Sequence, residues 1–505
     1  MRTLSRSDAP EALQQTNPLT IDNSIIATAI PKITDQFHSL GDVGWYGSAY
    51  LLTTAALQLL FGKFYSFFSV KWVFLVAIAL FELGSLVCGV ANSSLALIIG
   101  RAVAGMGSAA IFSGALIILA YSVPLERRPL YSGFIGSMYG IASVAGPLLG
   151  GVFTDKVTWR WCFLINLPIG AVAIVVIALF FPDPNREIKD ETWFQRFMQF
   201  DPMGTAVFMP AIICLLLALQ WGGTTYDWNS WRIILLFVFF AVLILVFLYI
   251  QYRQQDLATV PPRIFFKRTV WSAGLYAFCI GAAFLGCIYF LPIWFQAVKG
   301  ATAVHSGIMN LPMLISVVVC SLIGGGVVTA FGYYTPFMIV GTIMASIGYG
   351  LLSTFHIDTP SSTWIGYQIL AGAGVGFGMQ QPLMAVQVVL DIADVPTGTA
   401  AIVFAQTLGG ALFVSIGQNI FSNRLVQNVL AYVPGLDPAV VLAAGATQIQ
   451  TQIPADQVPG VILAYNDALT NTFLVFAAVA CISAVGAAFI EWKSVKGKQI
   501  EMAAA

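Results

Sequence analysis

Residues 95–121 read LALIIGRAVAGMGSAAIFSGALIILAY, and Arg101 is the one charged residue in the run. At 1.5 Å per residue such a helix is about 40 Å long, more than the roughly 30 Å of hydrocarbon in a bilayer. It has no charged face to turn to water, so it reads as membrane-spanning. The rest of the chain agrees: of 505 residues, 58% are hydrophobic and 9% charged, where soluble domains carry about 25% charged residues. That excludes a soluble globule. A formal charge of zero, from 23 basic and 23 acidic residues, removes the basic balance of a nucleic-acid binder. The seven cysteines lie in or beside apolar runs with no CxxC pair. They read as packing residues, with neither a disulfide framework nor a metal site favoured.

Apolar runs separated by charged or Pro/Gly breaks predict fourteen helices, at 19–33, 44–61, 73–91, 95–121, 130–153, 162–181, 203–221, 233–250, 271–294, 307–331, 336–355, 364–390, 398–421 and 468–490. The all-α polytopic class follows from that count. With both termini in the cytoplasm, sixteen basic residues, from Arg2 and Arg6 to Lys493, Lys496 and Lys498, fall on the cytoplasmic side. Six fall on the other side: Lys32, Lys156, Arg160, Arg232, Lys299 and Arg424. This bias fits an even number of spans. Residues 1–18 are polar, without the apolar core of a signal peptide, so membrane entry is expected to begin at an internal segment. The charged stretch 182–201 reads as a cytoplasmic linker, and 422–467, where Arg424 is the one basic residue, as a non-cytoplasmic loop with some amphipathic helix. Asn92-Ser93-Ser94 is a glycosylation sequon in a loop so short that its use is not expected.

No Walker A sequence, HExxH or GxSxG set with partners is present, and His38, His305 and His356 sit in or next to loops. Neither an enzyme nor a nucleotide-driven pump is expected, and no cofactor or metal. Charges within hydrocarbon are more informative, since an ionisable group at a helix centre costs about 2.5–3.5 kcal/mol on insertion scales and usually faces a polar interior. Three qualify: Asp22, Glu82 and Arg101. For Arg101, snorkelling and a buried hydrogen-bond clamp stand beside a functional role. In the fifth helix, Gly140, Gly146, Pro147, Gly150 and Gly151 mark a bent helix whose Gly146 and Gly150, four apart, are expected to touch a partner closely. Amides within spans, among them Gln58, Asn310, Gln380, Gln381 and Gln406, suggest a wet cavity, and Tyr289 would suit an apolar organic substrate there.

These residues resemble the major facilitator superfamily, specifically its fourteen-span drug:proton antiporters, and most closely the fungal toxin and multidrug efflux members. Asp22 to Pro31 (DNSIIATAIP) looks like the first-helix motif, and Arg101 with Gly105 and Gly107 like the fourth-helix arginine motif. Gly140 with Gly146 to Gly151 matches the antiporter motif, and 159–170 (WRWCFLINLPIG) is the stretch associated with fungal members. The resemblance implies two six-helix bundles with two helices inserted between them. Its boundaries are a cytoplasmic tail (1–18), an N-terminal bundle (19–182), linkers and inserted helices (183–270), a C-terminal bundle (271–490) and a cytoplasmic tail (491–505).

It further implies a proton-coupled exporter of amphipathic organic compounds working by alternating access. Asp22, Glu82 and Arg101 would couple protons, and no obligate protein partner would be needed. The plasma membrane is expected, with the vacuolar membrane possible. A carrier for basic amino acids or iron chelates on the same fold, and a non-transporting sensor, are the alternatives. One departure is plain: Gly62 to Lys71 (GKFYSFFSVK) lacks the acidic residue usual in the cytoplasmic loop motif. The first span, 15 residues and about 22 Å, is too short to cross comfortably. A mis-assigned first exon or a natural truncation is expected to be the reason.

Overall fold

In hydrocarbon every backbone N–H and C=O must be satisfied within the protein, and here helices do so. The computed structural model describes residues 29, 32–34, 36–37, 39, 42–182, 199–223, 225–446 and 449–496. In the first half these form α1 (Val43–Phe67), α2 (Val70–Gly89), α3 (Ser94–Ser122), α4 (Arg128–Lys156), α5 (Trp161–Leu164) and α6 (Asn166–Phe180). Next come α7 (Pro202–Trp221), α8 (Trp231–Gln254) and the short α9 (Pro262–Phe265). The second half holds α10 (Arg268–Ala297), α11 (Ala303–Met309), α12 (Leu311–Phe331), α13 (Thr335–Leu352), α14 (Ser361–Gly378), α15 (Gln381–Val389), α16 (Val395–Tyr432), α17 (Pro438–Ala444), α18 (Ile449–Gln452) and α19 (Val458–Phe489). Two isolated bridges, Gly222 with Tyr226 and Tyr333 with Ser494, are the β-pairing among the described residues.

Eleven helical segments among the described residues are long and apolar enough to cross a membrane. Helices α1 and α4 lie over the second and fifth expected spans. The first span, with Asp22, lies largely outside the described residues. Three expected spans are each two helices, broken where Pro168, Pro312 and Pro382 cannot donate to the carbonyls of Leu164, Ile308 and Gly378. The expected loop 422–467 is shorter than its polarity suggested. Helix α16 runs on to Tyr432 and α19 begins at Val458, because Asn423, Arg424 and Gln427 end the apolar run without ending the helix.

Helices α1, α2, α3 and α6 pack on one another, as do α10, α12, α13, α14, α16 and α19. Between the two groups, α4 lies along α12, and α1 along α16. The inserted pair α7–α8 sits beside α1 and α16 through an apolar cluster of Ala55, Leu59, Phe208, Ile212, Leu216 and Phe247.

The pair is fastened at its basic-rich end by Asp201, which ends the linker read from sequence. Asp201 is fully buried in a left-handed conformation (φ 50°, ψ 61°) that a short polar side chain tolerates. Its carboxylate accepts from Gly204 N (2.7 Å), Gln251 Nε2 (2.5 Å), Thr259 N (3.0 Å) and Thr259 Oγ1 (2.8 Å). Removing it strands those donors in a buried site. Asp201→Ala is therefore expected to lower stability by about 3 kcal/mol or more. Thermal unfolding of the detergent-solubilised protein measures this, and an unchanged midpoint would show that the staple is dispensable.

Candidate functional site

Arg101 is a buried clamp, 1% exposed, which excludes snorkelling. The helical period of α3 turns Gly100, Ala104 and Gly107 to α2, and Arg101 and Gly105 to α1. A Cβ on Gly105 would stand 2.4 Å from Tyr50 O, so only glycine allows this approach of α1. The approach is locked by Thr53 Oγ1 donating to Ala102 O (2.9 Å) and Thr54 Oγ1 to Gly105 O (3.1 Å). Within it, Arg101 Nε donates to Tyr46 O (2.8 Å) while its guanidinium lies 4.4 Å from the Tyr50 ring centre and 6.0 Å from that of Phe163. Nearby, Tyr46 OH donates to Ser94 Oγ (2.9 Å), which donates to Asp42 (2.5 Å). Sequence reading passed over Asp42 because it precedes the helix and looks like loop polarity.

Glu82 has a neighbour on another helix, α6. On α2, Phe81 and Gly84 face α3, whereas Glu82 lies against Gly170 of α6, where a Cβ would stand 1.8 Å from its Oε1. Ser85, one turn on, accepts from Asn166 Nδ2 (3.2 Å) of the same neighbour. Glu82 is thus 9% exposed at a joint of α2 with α6 inside the N-terminal group.

Among the described residues, close approach between the groups runs through three glycines of α4, Gly140 of the motif among them. Cβ atoms on Gly133 and Gly136 would stand 2.7 Å from Ser321 O and 2.8 Å from Gln380 Nε2. One on Gly140 would stand 2.4 Å from Val318 Cγ2. A Cβ on Gly151, the last glycine of the motif, meets nothing within 4 Å among the described residues. Gly146 and Gly150 are buried, and the side chain of Pro147 lies outside what is described. Opposite α4, Gln380, Met384 and Gln387 recur along one side of α15, antiparallel to it. Gln380 meets Gly136, Met384 Sδ accepts from Ser132 Oγ (3.8 Å), and Gln387 Oε1 accepts from Arg128 Nη1 (3.4 Å).

On the other line of contact, Ser66 and Thr397 hydroxyls are 3.1 Å apart and a Cβ on Gly62 would stand 2.5 Å from Ala400 Cβ. Ser66 belongs to the loop motif that lacks its acid, so an uncharged pair sits where a charge was absent from the sequence. Among the described residues, the hydrogen bonds between the two groups lie at this basic-rich end, while α11 touches α4 further along.

Gln58 Nε2, Asn310 Oδ1, Gln380 Oε1 and Gln381 Oε1 are buried with no hydrogen-bond partner among the described residues. Buried amides of this kind call for water or a ligand. Gln406 packs on Gly281 of α10, and Tyr289 is half-exposed on the same helix. Asn92 is exposed between α2 and α3. Among the described residues no group of three His, Cys, Asp or Glu side chains is placed to hold a metal.

The Major Facilitator Superfamily profile matches residues 18–414. The chain is 62% identical over 486 residues to the MFS-type efflux pump MFS1 of Arthroderma benhamiae, covering 96% of this chain and 91% of that one. It is 55% identical over 478 residues to the efflux pump roqT of Penicillium rubens, covering 95% and 89%. In fold it resembles the proton:xylose symporter XylE, with TM-score 0.59, 14% identity, and coverage of 96% and 94%.

Proposed function

The chain belongs to the Major Facilitator Superfamily, and as a multi-pass transporter of that family, not an enzyme, we propose that it exports amphipathic organic compounds of the fungal toxin or secondary-metabolite class in exchange for protons. Fourteen spans, in two six-helix bundles with α7–α8 inserted, form the working unit. The basic-rich end faces the cytoplasm and the membrane is the plasma membrane. The efflux-pump relatives support export over uptake.

The observation that carries the reading is the nature of the contact between bundles. Glycine against backbone, one hydroxyl pair and a few single hydrogen bonds hold the basic-rich end together. Each such bond is worth about 0.5–1.5 kcal/mol net, so the contact is specific yet able to part. Alternating access requires that combination. The unpartnered amides at Gln58, Asn310, Gln380 and Gln381 offer hydrogen bonds to a substrate otherwise held by apolar contact. For the proton, the position of Glu82 between α2 and α6 favours Asp22 as the coupling carboxylate. The buried charge of Arg101 would tune it.

In everted vesicles without nucleotide, an imposed pH step is expected to drive uptake of an amphipathic fluorescent dye, and a protonophore to stop it. Transport that needs nucleotide with the gradient clamped would overturn proton coupling.

A further inference from the structure

Helix α8 does not lead smoothly into the C-terminal group. At Gln255 the backbone takes φ 52°, ψ −108°, a conformation that residues with side chains rarely hold and that costs about 1–3 kcal/mol. The chain thereby turns across the end of the α1–α16 contact, and three anchors fix its course. Leu257 O accepts from Lys63 Nζ (3.4 Å), and Lys63, on α1, is 2% exposed. Thr259 is held by the buried Asp201 through both its N–H and its hydroxyl, and Val260 N donates to Gln251 Oε1 (3.2 Å). Arg263 then grips Asp394, which caps the start of α16, with Nη1 at 2.5 Å and Nη2 at 2.9 Å, while its Nε donates to Asp256 (2.6 Å). The hydrogen bonds it donates to Asp394, ahead of the one to Asp256, hold the pKa of the Arg263 guanidinium above its ordinary value.

Lys63 and Asp394 stand on opposite sides of the line where Ser66 meets Thr397 and Gly62 meets Ala400. The segment joining them is seven residues, Leu257 to Arg263, pinned at its middle to the inserted pair. We propose that residues 255–263 form a strap across the basic-rich end of the α1–α16 contact, holding that end shut until Arg263 releases Asp394 or Lys63 releases Leu257. The inserted helices thereby acquire a role, since through Asp201 they supply the fixed post from which the strap is drawn. Bidentate geometry makes Arg263–Asp394 the selective anchor, because a guanidinium fork matches a carboxylate and a small displacement breaks both bonds together. Arg263 is 52% exposed and Asp394 13%, so the pair is a latch that solvent can help open.

The strap rests on the alternating-access reading, yet its test needs neither substrate nor gradient. Thr397→Cys, buried under Ser66, reports opening through its rate of reaction with a membrane-permeant maleimide, read by mass spectrometry at that position in the full-length protein in vesicles. Adding Arg263→Gln, or separately Asp394→Asn, is expected to raise that rate about threefold or more, in keeping with a partly exposed ion pair of up to about 1 kcal/mol. The exchanged pair, Arg263→Asp with Asp394→Arg, is expected to bring it back towards the parent rate. Parent-like labelling in both single variants would overturn the strap. So would raised labelling that the exchanged pair fails to lower, since that marks general loosening. Failure of gradient-driven dye transport with these labelling changes intact would instead count against proton coupling and leave the strap standing.

Discussion

Arg101→Ala is expected to bring efflux down to background while the protein still reaches the membrane. Burying a guanidinium costs several kcal/mol of lost hydration. The bond from Nε to Tyr46 O and the face of Tyr50 offset part of that, the latter by about 2 kcal/mol when desolvated. Any uncharged residue there also strands the buried groups that the guanidinium holds, Tyr46 O among them, so stability and transport have to be read separately. Arg101→Met therefore separates the two roles. It restores the apolar volume that alanine removes, so it is expected to unfold at a higher temperature in detergent than the alanine variant and yet lose transport as fully. Arg101→Lys is expected to lose most activity as well, since an ammonium cannot bond Tyr46 O and lie flat on Tyr50 together. Gradient-driven efflux at the parent rate by either uncharged variant, at parent expression, would remove Arg101 from the coupling mechanism.

How much of this was legible beforehand depends on whether the signal is local. Hydropathy located the helices because a span must carry its own apolar surface, and the described helices follow the second to the fourteenth runs. It overran three of them because Pro168, Pro312 and Pro382 are as apolar as their neighbours while lacking a donor. Arg101 stood out because a lone charge in an apolar run has no cheap explanation. Glu82 stood out for the same reason and proved to face α6. The helical period held that answer: Glu82, Ser85 and Gly89 share a side of α2 roughly a quarter turn round from that of Phe81, Gly84 and Cys88.

What sequence could not convey is which distant residue meets which. Lys63 and Leu257, or Arg263 and Asp394, are ordinary linker polarity until the fold brings them together. Asp201 looked like the end of a charged linker, although four donors converge on it. The fifth helix gives the sharpest case. Its family motif drew the eye to Gly140, Gly146 and Gly150, while the described approaches also include Gly133 and Gly136, about three to four turns before Gly146. Glycines in a span announce close packing, but not the identity of the partner or the conformation in which it is met.

That difference allows a second large effect. Gly136→Leu is expected to stall the transport cycle with the basic-rich end open. The first added carbon alone would stand 2.8 Å from both Gln380 Nε2 and Ser321 Oγ, and 3.2 Å from Gln380 Cγ. Gln380 and Ser321 are 5% and 4% exposed, and the rest of the leucine side chain has to displace both of them. Overpacking of this kind typically costs about 1–3 kcal/mol. The cost applies where α4 lies on α12 and α15, and vanishes in a conformation that parts them. The equilibrium between the two should then shift by roughly fivefold to a hundredfold towards the parted form. Gly151→Leu supplies the matched control: same helix, same added side chain, but open space around the Cβ, so transport close to the parent is expected. Two readings decide the matter. Maleimide labelling of Thr397→Cys should rise with Gly136→Leu and stay level with Gly151→Leu, and dye efflux should fall in the first alone. If the two leucine variants behave alike in both measurements, the contact of α4 with α12 and α15 is not what closes this end.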